Sequence, residues 1–500
     1  MHEGHEGLAA FRRLAVSHDL IPVSRAVFSD LETPVAAFWK LRRGAWSFLL
    51  ESVEGGENWA RYTMMGTEPR AIYRARGERL TIERPGQGDE VIATPDPLGV
   101  VAARFVDSRP YVDPALPRFV GGLVGALAHD AVRWIERLPD RHADPEDTAP
   151  ELVFIETRLV LVWDNLKHHA VLVYLAQVDG PDDADAAWAD AHAALDAAEE
   201  RLAGPLPPLP SSPSAAPVPA SVSMDDAAYG RVVDEARRFI VAGDIIQVVL
   251  SRRFDQAAGG LHPFLVYRAL RGVNPSPYMF YLELGDTTLV GASPEVLVRH
   301  TDGLVEVRPI AGTRPRGATP EEDAALAEEL LADPKERAEH VMLVDLGRND
   351  VGRVAEIGTV AIPEQMVIER YSHVMHLVSH VTGQVRPGLG PAEIIRATFP
   401  AGTLSGAPKI RAMEIIDALE GSRRGFYGGA VGTIGVDGNL DLCIAIRTLV
   451  ASGETFSVQA GAGLVYDSEP QREADETRNK ARAVLRAIDQ ARQLFYRRSL

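Results

Sequence analysis

A proline-rich segment near the middle of the chain places the strongest constraint on how this sequence can fold. Seven prolines lie between residues 204 and 222, among serines and alanines and with almost no charge: Pro205, Pro207, Pro208, Pro210, Pro213, Pro217 and Pro219. Because proline lacks an N–H group and fixes φ, such a run cannot supply helix or sheet hydrogen bonds and favours an extended spacer. The sequence therefore predicts an N-terminal unit at 15–200, a linker at 204–222 and a larger C-terminal unit at 224–495.

Residue patterns in both units predict strands mixed with helices. Stretches rich in β-branched and aromatic residues predict strands at 46–50, 152–155, 159–163, 170–175, 289–290, 296–299, 427–434, 441–451 and 455–464. Helices are predicted at 184–202, 320–333 and 469–493, and another begins at Pro334. Because strands that follow one another with short turns pair antiparallel, the predicted fold class is α+β and not a doubly wound parallel sheet.

Composition excludes several classes of function. The 500 residues are 46% hydrophobic and 24% charged, which is ordinary globular usage, and the formal net charge is −18. A chain this acidic repels polyanions, so neither nucleic acid nor an anionic membrane is an expected partner. No apolar run of about 18 residues predicts a membrane span, and no signal peptide is visible. With Cys443 as the single cysteine, no intramolecular disulfide can form, and the reducing cytoplasm is the expected location.

Two pairs of glutamates are candidate metal ligands. Glu336 with Glu339, and Glu473 with Glu476, are each spaced i, i+3 on a predicted helix, so the two carboxylates of a pair share one face. Four such oxygen donors would suit a hard divalent ion such as Mg²⁺. The alternative is that these are solvated helix faces, with Glu476 paired to Lys480 at i+4.

Three histidines at 373, 376 and 380 resemble a zinc-binding set, but the residues around them predict a strand. On a strand His376 and His380 point to one face and His373 to the other, so the three cannot converge on one ion. A single histidine on that face remains a candidate acid–base group.

Arg447 interrupts an apolar stretch and therefore needs a partner. The partner is either the carboxylate of an anionic substrate or an internal glutamate. The glycine-rich runs at 427–432 and 461–463 do not match a phosphate-binding loop. They predict strands with a close backbone approach to another group, for which a ligand is one candidate. Cys443 lies in an apolar strand without a sharp turn, so it is not a candidate nucleophile.

Longer strings carry a resemblance to a known family. They are Pro-Ile-Ala-Gly-Thr at 309–313, Leu-Val-Asp-Leu-Gly-Arg-Asn-Asp at 343–350 and Gly-Thr-Leu-Ser-Gly-Ala-Pro-Lys at 402–409. Together with the runs at 427–432 and 461–465, and in this order, they resemble the chorismate-utilising enzymes. The resemblance extends from 49–52 to 476–480, which is nearly the whole chain. The fold that it implies is a sandwich of largely antiparallel β-sheets with outer helices.

The resemblance also implies roles for individual residues. Glu339 and Glu476 match the Mg²⁺ ligands of the family, and Glu336 and Glu473 match neighbours that reach the ion directly or through water. Glu295 matches the acid that protonates the departing ring hydroxyl, and His376 matches the histidine associated with loss of the enolpyruvyl group. The matched chorismate-binding positions are Gly312, Thr313, Tyr427, Arg447, Gly461, Ala462 and Gly463.

Two positions distinguish among the reactions of the family. Members that add water carry a lysine where this chain has Gln247, and glutamine cannot act as a base. Members that form aminodeoxychorismate carry a lysine where this chain has Ala311, and alanine removes that candidate nucleophile. The resemblance therefore implies amination of chorismate by ammonia and elimination of pyruvate to give anthranilate. The alternatives are an aminodeoxychorismate-forming enzyme without its lysine, a catalytically silent tryptophan sensor and a metal-dependent hydrolase.

Partners and regulation follow from the same resemblance. A glutaminase needs a cysteine nucleophile, which this chain does not offer, so a separate glutamine amidotransferase subunit and a hetero-oligomer are expected. The N-terminal unit is expected to be regulatory. Two elements resemble those that bind tryptophan as a feedback inhibitor in this family. One is residues 49–52, which include Ser52, and the other is Pro277, Tyr278 and Met279.

Overall fold

The computed structural model describes residues 7–28, 30–52, 61–142, 149–167, 169–371 and 374–496. His373 of the sequence prediction lies outside these ranges. The α-helices are Gly7–Leu14, Pro34–Leu41, Pro97–Ala102, Ala184–Ala203, Asp226–Val241, Pro263–Val273, Pro320–Ala332, Pro334–Gly352, Pro391–Thr398, Gly402–Ser405, Lys409–Leu419 and Pro470–Leu494.

The strands are β1 (Leu20–Val27), β2 (Trp46–Glu51), β3 (Tyr62–Thr67), β4 (Ala71–Arg76), β5 (Arg79–Glu83), β6 (Glu90–Ala93), β7 (Gly122–Leu127), β8 (Leu152–Glu156), β9 (Leu159–Asp164), β10 (His169–Gln177), β11 (Ser221–Val222), β12 (Gln247–Ala257), β13 (Tyr278–Leu284), β14 (Thr287–Ser293), β15 (Val296–Thr301), β16 (Leu304–Val307), β17 (Ile310–Pro315), β18 (Ala361–Arg370), β19 (Val374–Gln384), β20 (Gly406–Ala407), β21 (Ala430–Gly435), β22 (Leu440–Ile444), β23 (Thr448–Ser452) and β24 (Thr455–Leu464).

These strands form two large sheets, and the paired strands of the described residues run antiparallel. The first sheet has the order β1-β10-β9-β3-β2-β13-β14-β23-β24-β12-β11, with β20 also paired to β12. The second has the order β17-β19-β16-β15-β22-β21-β7-β8-β4-β5-β6, with β18 also paired to β19. The antiparallel α+β architecture predicted from the sequence is therefore confirmed.

The sheets pack against each other and carry helices on their outer faces. Phe48 and Phe280 of the first sheet meet Val124 and Val431 of the second in one buried cluster. A second cluster joins the first sheet to the helices Ala184–Ala203, Pro263–Val273 and Pro470–Leu494. A third joins the second sheet to the helices Pro97–Ala102, Pro334–Gly352 and Pro391–Thr398. The result is a four-layer sandwich whose middle is the contact between the two sheets.

Both halves of the chain contribute to both sheets. Strands β1, β2, β3, β9 and β10 are one contiguous part of the first sheet, and β4 to β8 are one contiguous part of the second. The proline-rich segment forms one isolated β-bridge, between Ser212 and Tyr496, and its last two residues, Ser221–Val222, pair with β12. The expectation that the whole segment lacks sheet hydrogen bonds is therefore wrong at these places. The predicted boundaries at 15–200 and 224–495 stay a prediction, and the two halves share their hydrophobic cores.

One predicted strand, at 441–451, is in fact two. Strand β22 (Leu440–Ile444) belongs to the second sheet and β23 (Thr448–Ser452) to the first, and Arg447 between them has φ of 50°. The apolar residues continue through the break, so their pattern conceals it. The strand predicted at 427–434 begins only at Ala430, because Gly428 has φ of 71° and residues 427–429 form a turn. The other predicted strands and helices are present within a few residues of their predicted bounds.

In the part of the chain that the structure describes, no helix is long and apolar enough to cross a membrane.

Candidate active site

The candidate active site lies where the chain passes twice between the two sheets. Between β14 and β15 it crosses at Glu295, and between β22 and β23 it crosses at Arg447. The crossings are adjacent, because the Ile444 amide donates to the Glu295 carbonyl at 3.0 Å and the Ala292 amide donates to the Arg447 carbonyl at 3.2 Å. The fold therefore brings an acidic and a basic side chain, far apart in sequence, to one place between the layers.

Arg447 is a half-buried cation. Its guanidinium makes no hydrogen bond or ion pair with the residues that the structure describes, so the predicted alternative of an internal glutamate partner is not formed there. Burial lowers the pKa of Arg447, and the charges of Tyr427, Glu295 and Glu476 offset part of that effect. Because desolvating a cation without a partner costs free energy, this position favours the binding of an anion.

Glu295 is buried and accepts a hydrogen bond from the Thr403 hydroxyl at 2.9 Å. Burial raises the pKa of Glu295 to about 7, although Thr403, Arg447 and Lys480 each act to lower it. A carboxyl group with this pKa holds its proton in a substantial fraction of molecules at neutral pH, so it can serve as a general acid.

His376 lies on β19, opposite Thr313 on β17. Its Nδ1 is 3.0 Å from the Gly312 carbonyl and 3.2 Å from the Thr313 hydroxyl. Because a carbonyl only accepts, Nδ1 carries the proton and Nε2 is left as the basic nitrogen. Burial is the main cause of the lowered pKa of His376, so the ring is neutral and can take a proton. His380 shares its face of the strand, as predicted, but binds Glu306 at 2.7 Å.

Gly312 takes a backbone conformation that favours glycine. Its φ is 61°, and an added Cβ would lie 2.7 Å from Leu330 Cδ1 and 3.1 Å from Glu336 Oε2. The Pro-Ile-Ala-Gly-Thr string thus contains a bulge of β17, between Ala311 and Thr313, that places Glu336, Thr313 and His376 around one backbone segment.

Gly461 and Gly463 of β24 form one wall of the candidate site, next to β12, which we call the glycine wall. A Cβ on Gly461 would lie 2.8 Å from the Tyr427 hydroxyl, and a Cβ on Gly463 would lie 2.6 Å from Gln247 Nε2. Both glycines are needed for this close approach, as the sequence predicted. Ala462 differs, because its side chain points to the opposite face and is fully buried in a hydrophobic cluster. Only the backbone of Ala462 could contact a ligand here.

The four candidate metal-binding glutamates come from two helices, Pro334–Gly352 and Pro470–Leu494. Glu339 Oε1 accepts from Gln247 Nε2 at 3.3 Å, and Glu336 is 3.4 Å from Arg314. The ion pair between Glu476 and Lys480, which the sequence suggested as the alternative, is present at 2.7 Å. Lys480 also donates to the Gly461 carbonyl at 3.0 Å, which places this helix beside the glycine wall.

The electrostatics of these carboxylates fit a divalent cation. Burial raises the pKa of Glu339, and the negative charges of Glu336 and Glu476 raise it further. Burial also raises the pKa of Glu473, again with a contribution from Glu476. In the described ranges no three acidic or histidine side chains already converge on one point, so these carboxylates would have to move closer together to bind an ion. The donor set, all carboxylate oxygens, suits Mg²⁺, which would remove the repulsion among them.

A separate cavity of about 520 Å³ lies between the sheets. Leu50 and the four residues predicted to bind an inhibitor, Ser52, Pro277, Tyr278 and Met279, all line it. The Tyr278 hydroxyl donates to Asp441 at 2.9 Å, and Asp441 forms an ion pair with Arg299 at 2.8 Å. The cavity thus has aromatic and apolar walls with a charged pair at one side, a lining suited to an amphipathic amino acid.

Sequence reasoning missed two residues of the site. Thr403 lies in the 402–409 string, but nothing local indicates that its hydroxyl reaches Glu295. The sequence indicates Lys480 only as a partner of Glu476, because its bond to the Gly461 carbonyl depends on the packing of a helix against β24.

Known proteins resemble this chain in both sequence and fold. The sequence matches the chorismate binding enzyme family over residues 48–486. An anthranilate synthase component 1 from Pseudomonas putida is 47% identical, covering 96% of this chain and 98% of that one. The crystal structure of anthranilate synthase component I from Streptococcus pneumoniae has a TM-score of 0.75 at 35% identity, covering 92% of this chain and 99% of that one. A menaquinone-specific isochorismate synthase from Escherichia coli shares the fold, with a TM-score of 0.70 at 18% identity over 96% of this chain and 98% of that one.

The chain therefore belongs to the family of chorismate binding enzymes. Within that family it belongs to the group of anthranilate synthase component 1 proteins, and it is accordingly a lyase.

Proposed function

We propose that this chain acts as the large subunit of an anthranilate synthase, converting chorismate and ammonia to anthranilate, pyruvate and water. The observation that carries the proposal is the pair of adjacent crossings. There the Arg447 guanidinium, which has no partner among the described residues, lies near the Glu295 carboxyl group, whose pKa is raised to about 7. An anion-binding cation next to a proton donor suits a dicarboxylate that must lose a hydroxyl group.

In the proposed reaction, ammonia forms the new C–N bond on the ring while the ring hydroxyl leaves with a proton from Glu295. Arg447 and Tyr427 hold the substrate between the sheets. His376, through Nε2, takes part in the second step, in which the ring loses a proton and the enolpyruvyl group departs as pyruvate. Glu339 and Glu476 would hold a Mg²⁺ ion, with Glu336 and Glu473 nearby. The bound ion would supply positive charge for a carboxylate of the substrate.

Two side chains support ammonia as the nucleophile. Gln247 donates to Glu339 and cannot deprotonate water, and Ala311 is a buried strand residue without a nucleophilic atom. Ammonia needs neither a base nor a covalent enzyme intermediate.

A separate glutamine amidotransferase subunit would supply the ammonia from glutamine, forming a hetero-oligomer. Cys443 is buried in β22, and burial strongly raises the pKa of its thiol, so it cannot serve as a glutaminase nucleophile. The relatives are named component 1, which supports the same division of labour. The cavity that contains Ser52 is proposed to bind tryptophan as a feedback inhibitor.

The test is incubation of the purified chain with chorismate, Mg²⁺ and a high ammonium concentration, followed by anthranilate fluorescence and a pyruvate assay. Both products should appear in equal amounts, and below about pH 7 the rate at a fixed total ammonium concentration should rise with pH as ammonium becomes free ammonia. Isochorismate or 4-amino-4-deoxychorismate as the main product would reject the assignment.

Replacing His376 should separate the two steps of the reaction. Because its basic Nε2 is assigned to elimination only, His376→Ala should still aminate chorismate but accumulate the amino-enolpyruvyl intermediate in place of anthranilate. Chromatography of the reaction mixture measures both compounds. His380→Ala, on the same strand face but bound to Glu306, is the matched control and should give normal anthranilate. Loss of both compounds in His376→Ala would assign the histidine to an earlier step.

Replacing Ser52 should weaken inhibition by tryptophan. Loss of one hydroxyl contact is typically worth about 0.5–1.5 kcal/mol, so the inhibition midpoint of Ser52→Ala should rise several-fold while uninhibited turnover is kept. A tryptophan titration of anthranilate formation measures this. Ser47→Ala, at the other end of β2 and outside the cavity, should leave the midpoint unchanged. An equal midpoint in Ser52→Ala and wild type would exclude Ser52 from the inhibitor site.

A further inference from the structure

A buried ion pair lies directly behind Tyr427. The side chains of Arg424 and Glu420 are each 2% exposed and form a bidentate ion pair with each other. Arg424 Nη2 donates to Glu420 Oε1 at 2.6 Å, and Nε donates to Oε2 at 2.8 Å. A fork of this kind fixes the plane of the guanidinium as well as its position.

The remaining bonds of Arg424 join three segments that carry site residues. Nη1 donates to the Leu404 carbonyl at 2.6 Å, and Leu404 follows Thr403, the partner of Glu295. Nη2 donates to the Val249 carbonyl at 2.7 Å, on the strand that begins with Gln247. The guanidinium carbon is 5.5 Å from the centre of the Tyr427 ring, within the range of a cation–π contact.

Glu420 extends the same network to the glycine wall. Its Oε1 accepts from the Ser251 amide at 2.7 Å and from the Ser251 hydroxyl at 2.8 Å. Ser251 pairs with Gly461 across β12 and β24, and Gly461 lies against the Tyr427 hydroxyl. The ion pair thus contacts three segments of the candidate site, at Leu404, at Tyr427 and on β12, and through Ser251 it also supports the strand that carries Gly461.

We propose that Arg424 and Glu420 are positioning residues, which set the geometry of the acid, of Tyr427 and of the glycine wall without contacting the substrate. That this geometry serves the conversion of chorismate rests on the proposed function. No substrate contact is needed for this role, because the Arg424 guanidinium donates its hydrogen bonds to Glu420, Leu404 and Val249 of the protein itself. A misplacement of about 1 Å in such a site can reduce turnover by about a hundredfold.

The decisive variant is Arg424→Lys, because lysine keeps the charge but cannot make the fork and both carbonyl bonds together. Arg492→Lys is the matched control. Arg492 is also fully buried and donates to the backbone carbonyls of Ala257 and Ala258, at the far end of β12 from Gln247. Three quantities are measured in each variant: kcat and KM for chorismate, the tryptophan inhibition midpoint, and hydrogen–deuterium exchange of segments 247–251, 401–407 and 426–430.

Arg424→Lys should lower kcat/KM at least about tenfold, speed exchange in the three segments, and leave the tryptophan midpoint unchanged. Arg492→Lys should leave kcat/KM within about twofold and exchange in those segments unaltered. Equal effects of the two substitutions on kcat/KM, or unaltered exchange in folded Arg424→Lys, would overturn the inference.

If Arg424→Lys does not fold, Glu420→Gln takes its place, because glutamine keeps the shape and can still accept from Ser251. It should lower kcat/KM at least about threefold and speed exchange in the same segments. Normal kinetics with unaltered exchange in Glu420→Gln would equally overturn the inference. A wild type that forms no anthranilate would instead reject the proposed function, and the exchange comparison would still decide whether Arg424 holds these segments.

Discussion

Glu339→Gln and Glu476→Gln should each reduce anthranilate formation by more than about a thousandfold. Each substitution replaces a charged oxygen donor by a neutral amide, and a catalytic divalent ion typically contributes several kcal/mol to transition-state stabilisation. Folding stability should not fall in Glu339→Gln, because the substitution removes a charge whose burial, together with repulsion from Glu336 and Glu476, raises the pKa of this carboxyl. Steady-state fluorescence assays and thermal melting measure the two effects separately.

Asp345→Asn is the matched control for these variants. Asp345 lies on the same helix as Glu339, but its side chain is 71% exposed and pairs only with Arg348 within the described residues. It should keep normal turnover. EDTA should inactivate the wild type reversibly, and added Mg²⁺ should raise the melting temperature of the wild type but not that of Glu339→Gln. Full activity of either glutamine variant would remove that residue from the metal site.

Glu295→Gln should lower kcat by about 10²–10⁴-fold, the usual contribution of a general acid. In the wild type, kcat/KM for chorismate at a fixed concentration of free ammonia should fall as the pH rises through about 7. The direction follows from the role, because an acid must be protonated to act and loses its proton above its pKa. The residual activity of Glu295→Gln should not show this fall of kcat/KM at high pH, which we call the alkaline limb of the pH profile.

Thr403→Val refines that test. The Thr403 hydroxyl donates to Glu295 and thereby lowers the pKa of the carboxyl, so its removal should move the alkaline limb to higher pH. A limb that is unchanged in both variants would mean that another group controls the pH dependence.

Local sequence patterns predicted most strands and the long helices, because alternating or continuous apolar residues report directly which face is buried. The pattern failed at 441–451, since Ile444, Ala445 and Ile446 remain apolar while the chain passes from one sheet to the other. The positive φ of Arg447 has no signature in the sequence. Yet this break gives Arg447 its place in the site.

The candidate site was predictable in its membership but not in its contacts. The sequence predicted the paired glutamates from their i, i+3 spacing. It predicted the close backbone approach at 461–463 from the glycines there, because each feature reflects a local requirement. Contacts such as Thr403 with Glu295 or Arg424 with Val249 join residues more than a hundred positions apart, and only the sheet order brings them together. Long-range pairing of this kind is set by the tertiary fold.

The division of both sheets between the halves of the chain has a consequence for synthesis on the ribosome. The N-terminal half completes the pairing of β2 with β3 and of β7 with β8, but the other edges of β2 and β7 wait for β13 and β21. Until those strands emerge, the nascent chain exposes two open sheet edges, which are the features most prone to mispairing and aggregation. A ribosome that stalls after the proline-rich segment would therefore hold an incomplete sandwich that needs chaperone protection.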